Sequence, residues 1–322
     1  MAGGTVVVLG EVHTGLVQHS GELPPAQCER VLRLLEGERV HGFQRPIAYA
    51  VSPPVLTGVD CSLATGSGAT PRGVGSVEAR AGITGGRVLQ GRAVAAVVRA
   101  TATRRLPWAH YLARPGRVEA IGRCTPEALA TGFLAAPAAP STLDLTAIAG
   151  RIVDEVQASP VLDRRPPLRV ARTRLRWAVE VTDAAEPELV RLAVEPNHRR
   201  TVLMRAPGAL LGSIAEFCAD LALHDWLLTT LLGVVERSRM GAGHGSEVVE
   251  RLRPAVQHLL HLWMPVPRAD PVARALWVTV ERLAGVERQW EATRDRIRDQ
   301  VALSNLTLLM GGVAAGATGV GR

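Results

Sequence analysis

The strongest constraint on the fold is a change of period along the chain. In "RVARTRLRWAVEVTD", Ala171, Thr173, Leu175, Trp177, Val179 and Val181 alternate with Val170, Arg172, Arg174, Arg176, Ala178 and Glu180. A period of two assigns the two sets to opposite faces of a half-buried strand. "ELVRLAVE" and "RTVLMRA", joined by "PNHR", extend that strand into an antiparallel meander. From Gly212 onward the apolar spacing is helical, through "GSIAEFCADLALHDWLLTTLLGVVERSRM", "GSEVVERLRPAVQHLLHLWM" and "DPVARALWVTVERLAGVERQWEATRDRIRDQVALSNLTLL". Pro254 is expected to kink or restart the second of these.

The region before the meander is strand-rich. "TVVVLGEVHTGLVQH" opens it, and "PPAQCERVLRLLEG" follows as a helix with Pro25 in its first turn and Gly37 at its stop. "RPIAYAVSPPVLTGVDC" and "GSVEARAGITGGRVLQGRAVAAVVRA" are again strand-like, the second turning at Gly85-Gly86, a two-residue hairpin signal. "FLAAPAAPST" breaks both periods and marks a boundary. After it, Ser141 or Thr142 can cap a helix over "LDLTAIAGRIVDEVQA". The expectation is an α+β protein. An antiparallel β-rich domain occupies residues 1–135, a β-meander packed on helices occupies 141–310, and a flexible Gly/Ala-rich tail occupies 311–322. A chain of 322 residues is long enough for two cores.

All 37 basic residues are arginine. Without lysine there is no Walker A lysine, no Schiff base and no lysine general base. The same bias, with abundant Ala, Gly, Val, Pro and Leu, is what a GC-rich genome imposes, so the arginine count alone says little about partners. Cys28, Cys61, Cys124 and Cys218 form no CxxC pair, which points away from zinc ribbons and disulfide frameworks and toward a reducing cytoplasm. The first residues lack a basic n-region and carry Glu11, so no secretion signal is expected. Val301 to Gly321 is uncharged, but its glycines and polar residues suit a frayed tail better than a membrane span, and no transmembrane segment is expected.

Three constellations suggest chemistry. His224-Asp225 has the look of the doublet of HD-type metal-dependent phosphohydrolases. At about 100° per residue, however, His224 lies among Leu221, Leu227, Leu228, Leu231 and Val235, with Asp225 on the polar side. The further ligands such a site needs would come from His198, in an expected turn, or from Asp270, at a helix start. A core histidine with one hydrogen-bond partner is the simpler expectation. His258 and His261, with Glu247 and Glu250 on the same side, form a second candidate metal face, for which a solvated or interface side is the simpler alternative. Arg172, Arg174 and Arg176 form a stripe at intervals of roughly 6–7 Å. With Arg191 and Arg205, and Arg199 and Arg200 nearby, they make a candidate surface for nucleic acid or another anion. No aromatic residues interleave it, so nucleic acid is not favoured. The Gly-rich run "GSGATPRGVGS" fits neither phosphate-binding fingerprint and is expected to be a loop.

"RPIAYAVSPPVLTGVDC", "RLPWAHYLARPG", "SPVLDRR", "RLRW", "LALHDWLLTTLLGVVERSR" and "RLRPAVQHLLHLWMP" together resemble a family of streptomycete hypothetical proteins, over nearly the whole chain. The resemblance implies a small gene cluster shared with a variant P-loop protein and a SAM-dependent methyltransferase, and no catalytic residues. The leading expectation is a non-enzymatic scaffold or adaptor, without cofactor, docking on the P-loop protein. An HD-like hydrolase and an arginine-stripe anion binder are the alternatives.

Overall fold

The computed structural model describes residues 4–45, 47–135, 141–195, 199–238, 245–264 and 270–317, with side chains described for these except 44–45, 245–246 and 304–317. The protein is α+β. Among the described residues ten strands form one sheet: β1 (Thr5–Leu16), β2 (His41–Arg45), β3 (Ile47–Val51), β4 (Val55–Ser62), β5 (Arg72–Thr84), β6 (Val88–Arg99), β7 (Arg117–Ile121), β8 (Thr173–Val181), β9 (Glu188–Val194) and β10 (Arg199–Ala206). Their order is β2-β3-β5-β7-β6-β1-β8-β10-β9, with β4 and β6 also paired to β5. The Gly-rich run is only partly a loop, since Arg72–Ser76 already belong to β5.

The boundary expected near residues 133–142 does not divide this sheet. β1 runs antiparallel to β6 on one side and to β8 on the other, so strands from both expected halves share one hydrogen-bonded ladder. The chain around the boundary is itself tied down, since Ser62 N–H donates to Ser141 O at 2.8 Å and Leu143 N–H to Ser62 O at 2.9 Å. Composition signals a change of element there, and the sheet continues regardless. β9 and β10 form the expected antiparallel hairpin, with residues 196–198 outside the described residues. It is β10, however, that lies beside β8, in parallel, leaving β9 at the edge in place of a sequential meander.

Helices cover both faces. On one lie α1 (Pro25–Leu32), α3 (Pro126–Ala135) and α4 (Leu145–Gln157); α2 (Trp108–Leu112) lies near β5. On the other lie α5 (Leu211–Ser238), α6 (Gly245–His258), α7 (Pro271–Ala284) and α8 (Val286–Ala317). α4 starts after Asp144, whose carboxylate accepts from Ala147 N–H at 3.0 Å, so the cap lies two residues beyond Thr142. α6 runs through Pro254 and ends at His258. The long last helical stretch breaks in two at Gly285, which takes a left-handed conformation (φ 60°). α8 continues past residue 310 to Ala317, so the expected tail boundary falls within a helix; 318–322 lie outside the described residues.

α5 is long and apolar enough to cross a membrane, yet 67% of its most apolar window is buried in the protein. Its Ile214, Phe217, Leu221, Trp226 and Leu231 pack with Leu175, Trp177 and Val179 of β8, the apolar half of the alternation. Gly10 opposite is required there. A Cβ at that position would lie 2.1 Å from the Trp177 indole, so the absent side chain is the socket for the largest group on β8.

The β5–β6 hairpin turns as expected at Gly85-Gly86. Both have positive φ, 55° and 59°, and Arg87 N–H closes the turn on Thr84 O at 3.1 Å. A Cβ on Gly86 would also meet Leu23 O at 2.4 Å. Gly86→Ala is expected to destabilise by about 1–3 kcal/mol, because strain adds to a backbone clash. Gly21→Ala, which meets nothing within 4 Å, is expected to fall within about 0.5 kcal/mol of the parent. Urea unfolding of the two variants checks the contrast.

Candidate functional site

Arg174 and Arg176 share a face of β8, which α3 packs against, while Arg172 immediately precedes the strand and is exposed. Arg176 is buried. Its Nε donates to Glu11 Oε2 at 2.7 Å, its other nitrogens to Phe133 O at 3.0 Å and Thr146 Oγ1 at 2.8 Å, and its guanidinium lies 4.9 Å over the Phe133 ring. Arg172 pairs with Asp154 of α4 at 2.8 Å, and Arg174 is half-buried between them in sequence. Arg205 pairs with Glu180 at 2.9 Å and with Glu188 at 3.8 Å; Arg191 is exposed. Nearby, Arg199 pairs with Glu195 and Arg200 with Asp225, each at 2.8 Å. Of the five candidate arginines, only Arg176 is buried, while the exposed Arg172 and Arg205 are matched by carboxylates of the same chain. A period of two reveals which side chains share a face, and not which helices lie on it.

Burial raises the pKa of Glu11. The His13 ring, its Nε2 3.7 Å from Oε1 and beyond hydrogen-bond length, and the Arg176 charge lower it more, and the net position is below the ordinary carboxylate value. The stability this contributes is present above the unfolded pKa of about 4.3 and lost as pH falls through the lower folded value.

The doublet is split by its partners. His224 is buried, with Nδ1 2.7 Å from Asp220 O and Nε2 3.2 Å from Met264 N. A carbonyl only accepts and an amide N–H only donates, so Nδ1 carries the proton and the Nε2 lone pair is engaged. The single partner expected is thus joined by at least one more, and Trp263 and Trp277 lie edge-on to the ring at 5.0 and 5.3 Å. Asp225 turns instead to β10, accepting from Arg200 Nε at 2.8 Å, while Arg200 also reaches Thr229. His198 lies outside the described residues, and Asp270 caps α7.

His258 ends α6, and exposed His261 sits in the following one-turn segment Leu260–Leu262, so the two do not share a continuous α-helix. Burial, then Arg87 and His261, hold His258 below its ordinary pKa. Glu247 and Glu250 pair with Arg251 and Arg253. Among the described residues no three His, Cys, Asp or Glu side chains come together as a metal site.

His224 instead lines a cleft of about 720 Å³ that sequence reasoning did not anticipate. One wall is the β2–β3 hairpin, with Phe43, Ile47 and Tyr49; β5 and β6 add Arg80, Thr84 and Gln90. The other wall is the first half of α5, whose Ser213, Glu216, Phe217, Asp220 and His224 recur at helical spacing. Met264 and the start of α7, at Asp270 and Pro271, complete it.

The walls are tied together by polar groups. Arg92 of β6 donates to both oxygens of Glu216 at 3.0 Å and to the Tyr49 hydroxyl, clamping the hairpin, the sheet and α5. Gln90 donates to Thr14 Oγ1 at 3.2 Å and to Ala219 O at 2.9 Å. Burial, opposed by Arg92, pushes the Tyr49 phenol up to about 12, so it is a neutral hydroxyl at physiological pH. A volume of this size, with apolar walls and few fixed polar groups, has the dimensions of ligand sites, which run to roughly 300–1,000 Å³.

Truncating Arg176 leaves Glu11 buried without its partner, so Arg176→Ala is expected to cost about 3–5 kcal/mol. Arg172→Ala, at an exposed pair, should change stability by less than about 1 kcal/mol. Replacing Glu11 and Arg176 together by Leu and Met should recover most of the loss, measured by chemical denaturation. Recovery no better than Arg176→Ala alone would show that the charge pairing is not what the position supplies. No family model matches the chain, and neither the curated proteins nor the solved structures include one similar to it.

Proposed function

We propose that the chain is a non-enzymatic adaptor that holds a partner protein, and that the cleft between the β2–β3 hairpin and α5 is where the partner engages. The observation that supports this reading is how the cleft's polar groups are used. Glu216 is held by Arg92, Asp270 accepts from Val272 N–H at 2.9 Å, and His224 is held between two backbone groups. Groups fixed in this way orient and select a bound segment. General-base or nucleophilic work requires instead a side chain whose proton or lone pair is available to the substrate. Phe43, 45% exposed and stacked on Tyr49 at 6.2 Å, supplies the apolar anchor at the rim, a role in which aromatic side chains dominate binding energy.

The variant P-loop protein implied by the family resemblance is the proposed partner. Co-purification of the two proteins, with and without nucleotide, tests the pairing. The parent is expected to retain the P-loop protein, and Phe43→Ala to weaken retention about tenfold or more without changing its own unfolding midpoint. No association in either nucleotide state would remove this partner, and full retention by Phe43→Ala would remove the cleft as its seat.

A further inference from the structure

We infer that a second pocket, at the carboxyl ends of β6 and β7, binds a phosphate group through Arg99 and Arg123. It is separate from the cleft, which Gln90 lines toward the other end of β6, nine residues along the strand and so roughly 30 Å away. The site stands independently of the docking reading above.

The strand pairing builds this pocket. β6 and β7 run parallel, with Arg99 opposite Ala120, so both strands deliver the chain to the same end of the sheet. The loops that follow, residues 100–103 after β6 and 122–125 after β7, enclose about 670 Å³ together with Ser67 and the first turn of α3. In open sheets the crevice outside the carboxyl ends of parallel strands is where loops gather around a ligand.

Charge sets the sign of that ligand. Residues 99–123 hold six arginines and one acid, Glu119. His110 Nε2 at 2.7 Å and Arg114 at 3.2 Å take up the Glu119 carboxylate, and Arg105 pairs with Asp60, which Arg72 shares. Arg99, Arg104, Arg117 and Arg123 have no ion-pair partner among the described residues. Every Asp and Glu side chain of the chain belongs to those residues, so no acidic side chain outside them offsets the four. Arg99 and Arg123 line the pocket, and no carboxylate does. Glu127 adjoins it through a hydrogen bond to Thr125, one negative charge against two positive.

The rest of the lining is rich in donors. Ser67, Thr101 and Thr103 contribute hydroxyls. The amides of residues 101–103, Arg123 and Cys124 donate to no acceptor among the described residues. The end of α3 is already capped, since Thr125 Oγ1 accepts from Ala128 N–H at 3.2 Å, so the arginines and the loops make the site and the helix terminus does not. A phosphate oxygen set accepts several charge-assisted bonds at once and meets guanidiniums in a bidentate way, which suits two arginines with surrounding N–H and O–H groups. Burial raises the Cys124 thiol and the Arg99 charge opposes that rise, so this guanidinium lies near a thiol that can report occupancy.

Calorimetric titration of the full chain with phenyl phosphate, inorganic phosphate and benzoate tests the inference. Both phosphates are expected to bind, and benzoate at least about tenfold more weakly. Arg99→Gln with Arg123→Gln should weaken both phosphates about tenfold or more. Arg30→Gln with Arg33→Gln removes the same charge from exposed positions around the end of α1 and should leave affinity unchanged. Alkylation of Cys124 in the parent chain should slow with either phosphate and not with benzoate, a readout that needs no variant and decides the matter if the Arg99 and Arg123 variant melts without cooperativity. Sedimentation with phosphatidylcholine vesicles, with and without phosphatidic acid, separates the sources of the phosphate. Co-sedimentation that requires phosphatidic acid and is competed by phenyl phosphate assigns the pocket to a lipid headgroup. Binding of the free phosphates without co-sedimentation assigns it to a soluble phosphate. No binding at millimolar phosphate, benzoate as tight as phenyl phosphate, Cys124 alkylation unslowed, or equal losses in the two double variants would overturn the inference.

Discussion

Glu11 and Arg176 are direct cross-strand partners, and the joining of the two halves of the chain depends on that pair. β1 is flanked by β6 on one side and by β8 on the other, so β8 enters the sheet only if its register on β1 is right. A slip of one residue would turn Trp177 and Leu175 away from α5 and drive the arginines into its place. A buried ion pair is costly to desolvate and is tolerated when its remaining donors are also satisfied. Here the Phe133 carbonyl, the Thr146 hydroxyl and the Phe133 ring meet that requirement, and in doing so they seat α3 and α4 on the sheet. One side chain thus ties two strands and two helices.

The opposite face follows from the same register. With Glu11 opposite Arg176, Gly10 falls opposite Trp177, and the indole fills the space above the glycine under α5. α5 is therefore held along its length by β8 and β1, and its first turns extend toward the side where the β2–β3 hairpin stands. That hairpin meets β5 only through Tyr49–Val51, so most of β2 projects as a flap with Phe43 at its rim. Arg92 spans the gap to Glu216 and Tyr49 and sets the separation of the two walls. The cleft is a consequence of a long central strand and a short lateral pairing.

Much of this was legible in the residues. The alternation in β8, the Gly85-Gly86 turn, the strand segments before it and the helical run after Gly212 all rest on local chemistry that tertiary context reinforced. What was not legible depended on long-range pairing. Nothing local distinguishes β10 beside β8 from β9 beside β8, and an arginine stripe looks the same whether water or a helix lies against it. His224 drew attention because of its neighbour Asp225, whereas its meaningful neighbours are Glu216 and Asp220, at intervals of four in "SIAEFCADLALHD". That polar line on an otherwise apolar helix was available to reading by phase. Its partners on β3 and β6 were not, because only the folded sheet brings Tyr49 and Arg92 to it.

The absence of lysine gives these ion pairs a particular character. Every basic partner outside histidine is a guanidinium, charged at any pH a folded protein meets and able to engage several acceptors in one plane. Arg92 uses that geometry to hold a carboxylate and a phenol at once, and Arg176 to hold a carboxylate, a carbonyl and a hydroxyl. Of the arginines among the described residues only Arg87, Arg176 and Arg200 are buried, so the paired guanidiniums of Arg92 and Arg176 order the elements around them while most of the positive charge stays at the surface.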